Sequence, residues 1–428
     1  MREMKDSEVE WIGEIPKNWQ LTQTRRLFHN EKRIVGNAVD QYERLALTLK
    51  GVIKRSKDDS KGLQPEKFEG YQILKENELV FKMIDLENVN TSRVGISPYT
   101  GLVSPAYIVL TNYNSDNRYA YYWFMFMYYF EVFNHLGGDG VRSALNAKDM
   151  LSMPIPNLTC EEQKCISDYL DKKCFQIDSI IEKQQAIIEK LKEYKLSIIT
   201  EAVTKGLNTE VEMKDSGYEY IGLVPFTWEI CRLRNIGMPQ NGISKGAEFF
   251  GEGYPFVSYG DVYRNYSLPQ NVNGLIMSTE EEREKYSVRE KDIFFTRTSE
   301  TIEEVGFSSV CEETIPNATY AGFVIRVRPF NDKLANGFAK YYFRGGHHRI
   351  FLAKEMNLVT RASLGQDLLK SMPVLVPSKV EQEQIADYLD NKCRLIDKNI
   401  IEKQNVIEKL QEYKKSLIYE VVTGKKEI

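Results

Sequence analysis

The sequence has few of the residues that build metal sites or disulfide frameworks. Its 428 residues include six cysteines and four histidines, and no two cysteines follow the Cys-x-x-Cys spacing. Thiols scattered in this way are typical of reduced cysteines in a cytosolic protein. We therefore expect that this chain binds no metal ion and that no disulfide holds its fold together.

Long apolar runs are also missing. The most apolar window, residues 119–133, is rich in aromatic side chains and too short to cross a bilayer. The first eight residues, Met-Arg-Glu-Met-Lys-Asp-Ser-Glu, lack the apolar core of a signal peptide. With 42% hydrophobic and 28% charged residues, the composition is typical of a folded, soluble protein. We expect a cytoplasmic location and no membrane partner.

Motifs that support catalysis are absent from the sequence. It contains no Gly-x-x-x-x-Gly-Lys-Ser/Thr loop for nucleotide phosphates, no Asn/Asp-Pro-Pro-aromatic tetrapeptide of an amino-methyltransferase, and no Pro-Asp dipeptide of a nuclease carboxylate cluster. The adjacent His347 and His348 could bind a metal ion or phosphate, but a solvated, basic helix end is the favoured interpretation. We predict that the chain is not itself an enzyme.

An excess of positive charge is missing as well. The formal net charge is −4 at pH 7, so the overall electrostatics give no preference for nucleic acid. A DNA-binding function would have to depend on locally clustered lysine and arginine, or on a partner protein that contacts the phosphates.

What the sequence does contain is a tandem duplication. Three short segments occur once in each half, at residues 4–13 and 213–222, 94–97 and 305–308, and 152–154 and 371–373. Each half therefore consists of an entry segment, a variable body, a Met-Pro exit and a long helix. Such internal repetition predicts two copies of one architecture.

The two long helices follow the Met-Pro exits. Residues 161–207 contain no proline and one glycine, Gly206, and apolar residues recur at three- and four-residue steps in both copies. We predict that the two helices pack antiparallel as a coiled coil; the alternative is that each packs on its own body alone. The predicted helix-pairing residues are Ile166, Leu170, Ile177, Ile181, Ile188, Leu191, Ile198, Ile385, Leu389, Ile396, Ile400, Ile407, Leu410 and Leu417.

Each body reads as a mixed α/β globule. Strand-like runs near residues 79–82 and 293–296 are followed by further strand signals, and then by aromatic, helical stretches at 117–136 and 337–356. The predicted fold class is α+β, with two such bodies separated by the long helices. The predicted domains are residues 1–155, the first body; 156–210, the central helix; 211–375, the second body; and 376–428, the C-terminal helix.

The paired motifs resemble those of a known family. Trp-Ile-Gly-x-Ile-Pro-x-x-Trp at 11–19 is echoed by Tyr-Ile-Gly-x-Val-Pro-x-x-Trp at 220–228. Glu-Gln-x-x-Ile-x-x-Tyr-Leu-Asp stands at both 162–171 and 381–390. Together with the Met-Pro exits, this order is similar, over nearly the full chain, to the specificity subunit of a type I restriction-modification system. The two bodies differ strongly, so no base preference can be transferred.

The resemblance implies a non-catalytic, DNA-binding role. Each body would be a target recognition domain that reads one half of an asymmetric, bipartite site in double-stranded DNA. The helices would set the spacer and bind two modification (methyltransferase) subunits, which in turn bind restriction (motor-nuclease) subunits. The resemblance also implies that S-adenosylmethionine, ATP and Mg belong to those partners and that this chain binds no cofactor.

Base reading requires side chains that donate hydrogen bonds into the major groove, whereas phosphate contacts require only charge. On this basis the candidate DNA-binding residues are Lys54, Arg55, Lys57, Lys82 and Arg93 in the first body, and Ser244, Lys245, Tyr259, Arg264, Arg297, Thr298 and Ser299 in the second. Arg142 and Arg361 are added because both stand in an Arg-x-x-Leu pattern of the family. Ordinary surface charge is the alternative for any one of them, and a structural ion pair for the last two.

A second function class stays open from the sequence. The chain could be a coiled-coil adaptor that bridges proteins and does not bind DNA. The aromatic, glycine-containing bodies with clustered Arg/Lys loops favour the DNA-binding hypothesis. Salt-dependent binding to a DNA duplex would separate the two.

Overall fold

Each half of the chain contains short strands followed by helices in the computed structural model, which describes residues 2–57, 67–84, 86, 92–113, 115–136, 144–299, 304–355 and 362–428. The strands of the first half are β1 (Met4–Asp6), β2 (Glu14–Pro16), β3 (Leu21–Gln23), β4 (Phe28–Asn30), β5 (Arg44–Thr48), β6 (Gly51–Arg55), β7 (Gln72–Leu74), β8 (Leu79–Phe81), β9 (Val94–Ile96), β10 (Gly101–Val103), β11 (Ile108–Asn112) and β12 (Pro154–Pro156). Its helices are α1 (Asn117–Tyr129), α2 (Val132–Leu136), α3 (Ala147–Ser152) and α4 (Cys160–Lys205).

The second half repeats this order with additional elements. Its strands are β13 (Met213–Asp215), β14 (Leu223–Pro225), β15 (Glu229–Arg232), β16 (Gly237–Asn241), β17 (Phe250–Val257), β18 (Gly274–Ile276), β19 (Ile293–Thr296), β20 (Thr298–Ser299), β21 (Ser308–Val310), β22 (Thr319–Tyr320), β23 (Val324–Pro329), β24 (Ala362–Ser363) and β25 (Pro373–Val376). Its helices are α5 (Tyr259–Arg264), α6 (Glu280–Lys285), α7 (Asn336–Tyr342), α8 (Gly346–Glu355), α9 (Gln366–Ser371) and α10 (Lys379–Val422).

The internal contacts divide the chain into two units. Unit 1 consists of residues 1–185 and 405–428, and unit 2 consists of residues 186–404. The first part of α4 and the last part of α10 therefore belong to unit 1, whereas the last part of α4 and the first part of α10 belong to unit 2. Helices and sheets coexist in both units, so the predicted α+β class is confirmed.

Unit 1 contains two four-stranded sheets, in the orders β6-β5-β10-β7 and β4-β11-β8-β9. Strands β5 and β10 are parallel, and the other pairs in these sheets are antiparallel. Alternate side chains face the core because successive residues of a strand point to opposite faces. Leu45 and Leu47 of β5 and Val80 of β8 are among the residues buried there.

Unit 2 repeats these sheets although its sequence differs. The order β16-β23-β19-β21 corresponds to β4-β11-β8-β9, and β18-β17-β22 corresponds to β6-β5-β10, again with one parallel pair, β17 with β22. The connection inside the second sheet distinguishes the units. Strands β5 and β6 are joined by a tight hairpin, whereas residues 258–273, which include α5, connect β17 to β18.

The aromatic stretches that were predicted to be helical each form two helices. Residues 117–136 contain α1 and α2, and residues 336–355 contain α7 and α8. The first pair breaks at Glu131, which has a positive φ of 55°. The second pair breaks at residues 343–345, directly before α8.

The long helices have defined ends. Glu162 accepts a hydrogen bond from the Thr159 backbone N–H at 2.9 Å, while its own N–H donates to the Thr159 hydroxyl at 3.3 Å, so a capping box starts α4. Gly206, with φ of 75°, follows the last helical turn. A left-handed residue at this position is the usual helix stop, and glycine adopts it without a steric penalty.

A glutamine in the repeated Glu-Gln motif attaches each long helix to its body. Gln163 accepts a hydrogen bond from the backbone N–H of Asp116 at 2.7 Å and donates to the carbonyl of Leu158 at 3.0 Å. In unit 2, Gln382 accepts from the N–H of Ala335 at 2.7 Å and donates to Pro377 at 2.9 Å. The two copies of the motif therefore make equivalent hydrogen bonds to the body that precedes each helix.

The predicted helix-pairing residues are spread along α4 and α10, and among them Ile385 and Leu389 belong to the core cluster of unit 2, together with residues of the second body such as Phe338. Most of them are buried, and Leu191, Ile400 and Leu410 are half-buried. In unit 1, Lys414 of α10 contacts Asp178 of α4, and in unit 2, Lys195 of α4 contacts Asp397 of α10. The later residue of α4, Lys195, thus pairs with the earlier residue of α10, Asp397. This reversed order is expected for an antiparallel pair of helices. No helix among the described residues has an apolar stretch long enough to cross a membrane.

Candidate nucleic-acid interface

Unit 2 brings several of the predicted residues together where β19 ends. Arg297, the residue after β19, donates from its guanidinium to the carbonyl of Gly322 at 3.4 Å. Ser244 lies against the same glycine, because a Cβ atom at Gly322 would stand 2.2 Å from the Ser244 Oγ. Arg297 and Ser244 therefore both contact Gly322, and a larger residue there would require the Ser244 side chain to move.

Tyr259 and Ser299 both form hydrogen bonds to Glu304. The Ser299 hydroxyl donates to the Glu304 carboxylate at 2.6 Å, and the Tyr259 hydroxyl donates to the Glu304 carbonyl at 3.5 Å. Burial raises the pKa of Tyr259 above its ordinary value, so the hydroxyl keeps its proton at neutral pH. Thr298 precedes Ser299 in β20, which pairs with β24.

Arg264 lies at the end of α5 and is exposed. It shares this short helix with Tyr259, whose ring stacks on Tyr263 with centroids 5.9 Å apart. Together with Ser244, Arg297, Thr298 and Ser299, these residues offer hydroxyl and guanidinium donors, connected through Gly322, Glu304 and α5. Such donors can bond both base edges and phosphate oxygens. We name this set the unit 2 donor cluster: Ser244, Tyr259, Arg264, Arg297, Thr298 and Ser299.

Lys245 follows Ser244 in the chain, but its ammonium bonds to residues outside the unit 2 donor cluster. Its ammonium donates to the Glu282 carboxylate at 2.7 Å and to the carbonyl of Met277 at 2.9 Å. Its side chain is 14% exposed. The charge of Lys245 is thus neutralised locally by α6.

In unit 1, Lys54 and Arg55 lie within β6 rather than in the polar loop that was predicted for them, because they pair with β5, and Lys57 follows the strand. Lys54 forms an ion pair with Glu43 at 2.5 Å, and the hydrogen bond to that carboxylate raises the pKa of Lys54. Arg55 stands opposite Arg44 in the β5–β6 register. Lys57 donates to the carbonyl of Val39 at 2.7 Å. These three residues form a short basic stretch at one edge of the sheet.

Arg93 is 2% exposed. Its guanidinium donates to the carbonyls of Lys82 and Ile84, at 3.3 Å and 2.7 Å. These bonds tie the segment after β8 to the start of β9, so direct contact of Arg93 with a ligand would require it to leave them. Lys82 is half-buried in the same segment. Arg142 and Arg361 lie outside the described residues.

The histidine pair differs from its prediction. His347 and His348 are 1% and 2% exposed, and their rings lie 4.0 Å apart beside Tyr342 and Phe343. The prediction of a solvated helix end was wrong because α8 begins inside the core of unit 2 rather than on its surface. Burial lowers the pKa of His347 to about 3, so the ring is neutral at pH 7.

Two further residues next to the unit 2 donor cluster were not among the DNA-binding residues predicted from the sequence. Phe323, which directly follows Gly322, is 64% exposed, and its carbonyl accepts from the Arg297 backbone N–H at 2.8 Å. An exposed aromatic ring beside an arginine can stack on a nucleic-acid base. Arg344 lies behind α5 and bonds to its end. Neither belongs to a repeated motif, so periodicity gave no signal for them.

A family model matches the second half of the chain. Residues 225–412 match the model described as the type I restriction modification DNA specificity domain. This range begins in β14 and ends within α10, so it contains the sheets of unit 2 and the unit 2 donor cluster.

Two known proteins are similar to this chain in sequence. The specificity subunit of the type I restriction enzyme EcoKI from Escherichia coli strain K12 is 25% identical over 284 residues, which is 64% of this chain and 58% of that protein. The StySPI specificity subunit from Salmonella potsdam is 23% identical over 281 residues, with the same shares of 64% and 58%. The chain thus matches less than two thirds of the length of these relatives.

A solved chain shares the fold. It comes from a structure of complex assembly and conformational transition of the type I R-M system, and it superposes with a TM-score of 0.70 over 95% of this chain and 98% of that one. The sequence identity is 12%, so this similarity is one of fold.

Proposed function

Residues 225–412 of this chain belong to the type I restriction modification DNA specificity domain family, and from that premise we propose that the whole chain is the non-catalytic subunit through which a type I restriction-modification system recognises its DNA sequence. The resemblance inferred from the paired motifs is confirmed by this match and by the similar specificity subunits. Function is assigned to the site rather than to the fold, because one fold can carry many functions.

The observation that carries the proposal is that the two units share sheet topology but differ in the side chains they present. Strand orders and the glutamine contacts are repeated, whereas the unit 2 donor cluster has no counterpart of the same residue types in the basic stretch of unit 1. Two related domains with unlike faces suit two unlike half-sites. We therefore keep residues 1–155 and 211–375 as the recognition domains, and 156–210 and 376–428 as the helices that set their spacing.

The partners follow from the same proposal. Double-stranded DNA is the ligand, two modification subunits bind the helices, and restriction subunits join through them. S-adenosylmethionine, ATP and Mg are assigned to those partners. Exposed apolar side chains of α4 and α10, such as Phe175 at 75% and Ile401 at 60% exposure, support protein binding by the helices, because large exposed apolar groups favour a covering partner.

Within each unit we assign different tasks to the candidate residues. In unit 2, Arg297 and Ser244 stand where a base edge could be bonded, while the exposed Arg264 is suited to a phosphate. In unit 1, Lys54, Arg55 and Lys57 supply charge at the sheet edge. The buried Arg93 would act by holding the segment of Lys82.

Salt-dependent binding tests the proposal. The chain, purified with its modification subunit, is titrated with a duplex that carries the methylated target mapped in cells containing the complete system. The affinity should fall by about 10³-fold or more between 50 and 200 mM salt, because phosphate contacts release counterions. Arg264→Ala should reduce the slope by about one phosphate contact, whereas Arg232→Ala, an exposed arginine of β15, should leave it unchanged.

Two results would contradict the proposal. If the complex binds target and unrelated duplexes equally, the chain does not supply sequence specificity. If no DNA binding is detected at low salt while the modification subunit still binds, the chain is a protein adaptor.

A further inference from the structure

Arg344 caps the end of α5 from another part of unit 2. It lies between α7 and α8, and one of its terminal nitrogens donates to the carbonyls of Val262, Tyr263 and Asn265 at 2.8, 3.0 and 2.8 Å. Carbonyls at a helix end have no partner within the helix. A charged guanidinium satisfies them more strongly than a neutral donor would, so Arg344 fixes the position of this short helix.

The same side chain also holds the strand beside α5. The Arg344 Nε donates to the carbonyl of Ser308 in β21 at 2.6 Å. Its guanidinium stands 4.8 Å from the ring centroid of Phe307 and 5.0 Å from that of Tyr266. Burial lowers the pKa of Arg344 to about 10, so the group is still charged at pH 7. One half-buried cation thus joins α5, β21 and the turn before α8.

The turn that carries Arg344 is itself attached to α4. The backbone N–H of Gly346 donates to the Thr200 hydroxyl of α4 at 2.7 Å. On the other side, α5 carries Tyr259 and Arg264 of the unit 2 donor cluster. Arg344 therefore lies on a chain of direct contacts from a long helix to two candidate DNA-binding residues.

Unit 1 provides an internal comparison. Tyr122 of unit 1 and Tyr341 of unit 2 occupy equivalent positions, since each donates to the aspartate that ends the Tyr-Leu-Asp motif, at 2.7 and 2.6 Å. Three residues further on, unit 2 has Arg344 and unit 1 has Met125. Unit 1 also has a tight hairpin where unit 2 has α5. Among the described residues, the unit that has this arginine is therefore also the unit that has the helix it caps.

We propose that Arg344 is a positioning residue for sequence recognition by unit 2, holding α5 so that Tyr259 and Arg264 meet one half-site in a fixed register. This inference rests on the proposed function and goes beyond it, because Arg344 reads no base itself. Its acceptors among the described residues are backbone carbonyls of unit 2, so it acts on DNA through the elements that it holds, of which α5 carries the candidate DNA-binding residues.

The test compares three variants in the complex with the modification subunit. Arg344→Met introduces the residue of unit 1, Arg344→Lys keeps the charge but loses the planar fork, and Arg328→Met is a control. Arg328 forms an ion pair with the buried Asp292 at 2.6 Å. Replacing Arg328 should therefore destabilise unit 2 while leaving the bonds between Arg344 and α5 in place. Each variant binds the mapped target duplex and duplexes with one base changed in either half-site.

We expect Arg344→Met to lose about tenfold or more of the discrimination at the half-site read by unit 2. Discrimination at the other half-site should stay within twofold, and the salt slope should fall by no more than about one phosphate contact, that of Arg264 on α5. Arg344→Lys should recover part of the loss. Arg328→Met should keep full discrimination at temperatures where the complex is folded.

Unchanged discrimination in Arg344→Met would overturn the inference, and so would an equal loss in Arg328→Met, which would indicate general destabilisation. Hydrogen exchange of the chain without DNA gives a second readout. Exchange over residues 259–265 should accelerate in Arg344→Met and not in Arg328→Met, and equal exchange in both would also overturn the inference. Failure of wild-type complex to distinguish any duplex would instead overturn the proposed function, which this exchange readout does not depend on.

Discussion

Lys414, near the end of α10, donates to both carboxylate oxygens of Asp178 in α4, at 2.7 Å from each. Lys195 of α4 makes the same two bonds to Asp397 of α10, again at 2.7 Å. Each unit thus contains one aspartate–lysine pair between the long helices, with the helix that supplies the lysine exchanged. The duplication of the chain has duplicated an interhelical ion pair.

The Asp178–Lys414 ion pair should fix the register of the two helices more than it raises the free energy of unfolding. Asp178 is 50% exposed and Lys414 is 21% exposed, so solvent screens the interaction and a coupling of about 0.5–1 kcal/mol is expected. A double-mutant cycle with Asp178→Ala and Lys414→Ala, followed by urea unfolding at low and high salt, measures it. Glu189 and Lys192, a pair within α4, serve as the control and should couple more weakly. Equal coupling of the two pairs would contradict this prediction.

Gln382→Leu should destabilise unit 2 by about 2–3 kcal/mol, because the backbone N–H of Ala335 and two carbonyls would lose their partner in a buried site. Gln384→Leu is the matched control, since Gln384 is exposed on the same helix. Chemical unfolding followed by circular dichroism gives both values. Similar losses for the two variants would show that helix propensity, not the buried bonds, dominates.

Acid should destabilise unit 2 through His347. Its pKa is lowered to about 3 by burial, so between the ordinary histidine value and pH 3 the unfolded chain binds a proton that the folded chain does not. Stability is therefore complete above about pH 6.5 and falls on acidification, by at most about 1.4 kcal/mol per pH unit for one such group. Thermal unfolding between pH 7 and 5 should show a shallower decline for His347→Phe. His135→Phe, at an exposed site, should keep the wild-type decline.

Insertions in the long helices should test the spacer. Four residues added to α4 alone, after Gln185, would shift the helix so that Asp178 and Lys195 could not both keep their partners, and specific binding should be lost. The same insertion in α10 as well, after Gln404, would allow both pairs to re-form. The double insertion should then lengthen the unread segment between the half-sites, as mapped by adenine methylation. Methylation at unaltered spacing would contradict the role of the helices in setting the distance.

Exchanging residues 1–150 for the first body of another family member should change one half of the methylated motif and leave the other half intact. The reason is that each unit contains its own sheets and its own candidate DNA-binding residues. Methylation mapping in cells with the complete system gives the outcome directly. A change in both halves would mean that the units do not read DNA separately.

The repeated helices and their ends followed from the sequence because their signals are local. Apolar residues at three- and four-residue steps, the prolines before each helix and Gly206 after the first are read from neighbours along the chain. The equivalence of the two bodies could not be read in this way. Val-Gly-x-Ser occurs at 94–97 and 305–308, but the strand registers pair Phe81 with Val94 and Phe295 with Ser308, so the matching letters do not occupy matching positions.

The sequence by itself determined the duplication, the two paired helices and the resemblance to the specificity subunits, since each of these depends on short motifs and on periodicity. Only the tertiary structure decided which polar residues stand together. Ser244 and Arg297 both contact Gly322, Lys245 is neutralised by Glu282, and His347 is buried, because contacts between residues distant in sequence depend on sheet order and packing. Side-chain identity predicts what a residue can bond, but the fold determines whether a partner is within reach.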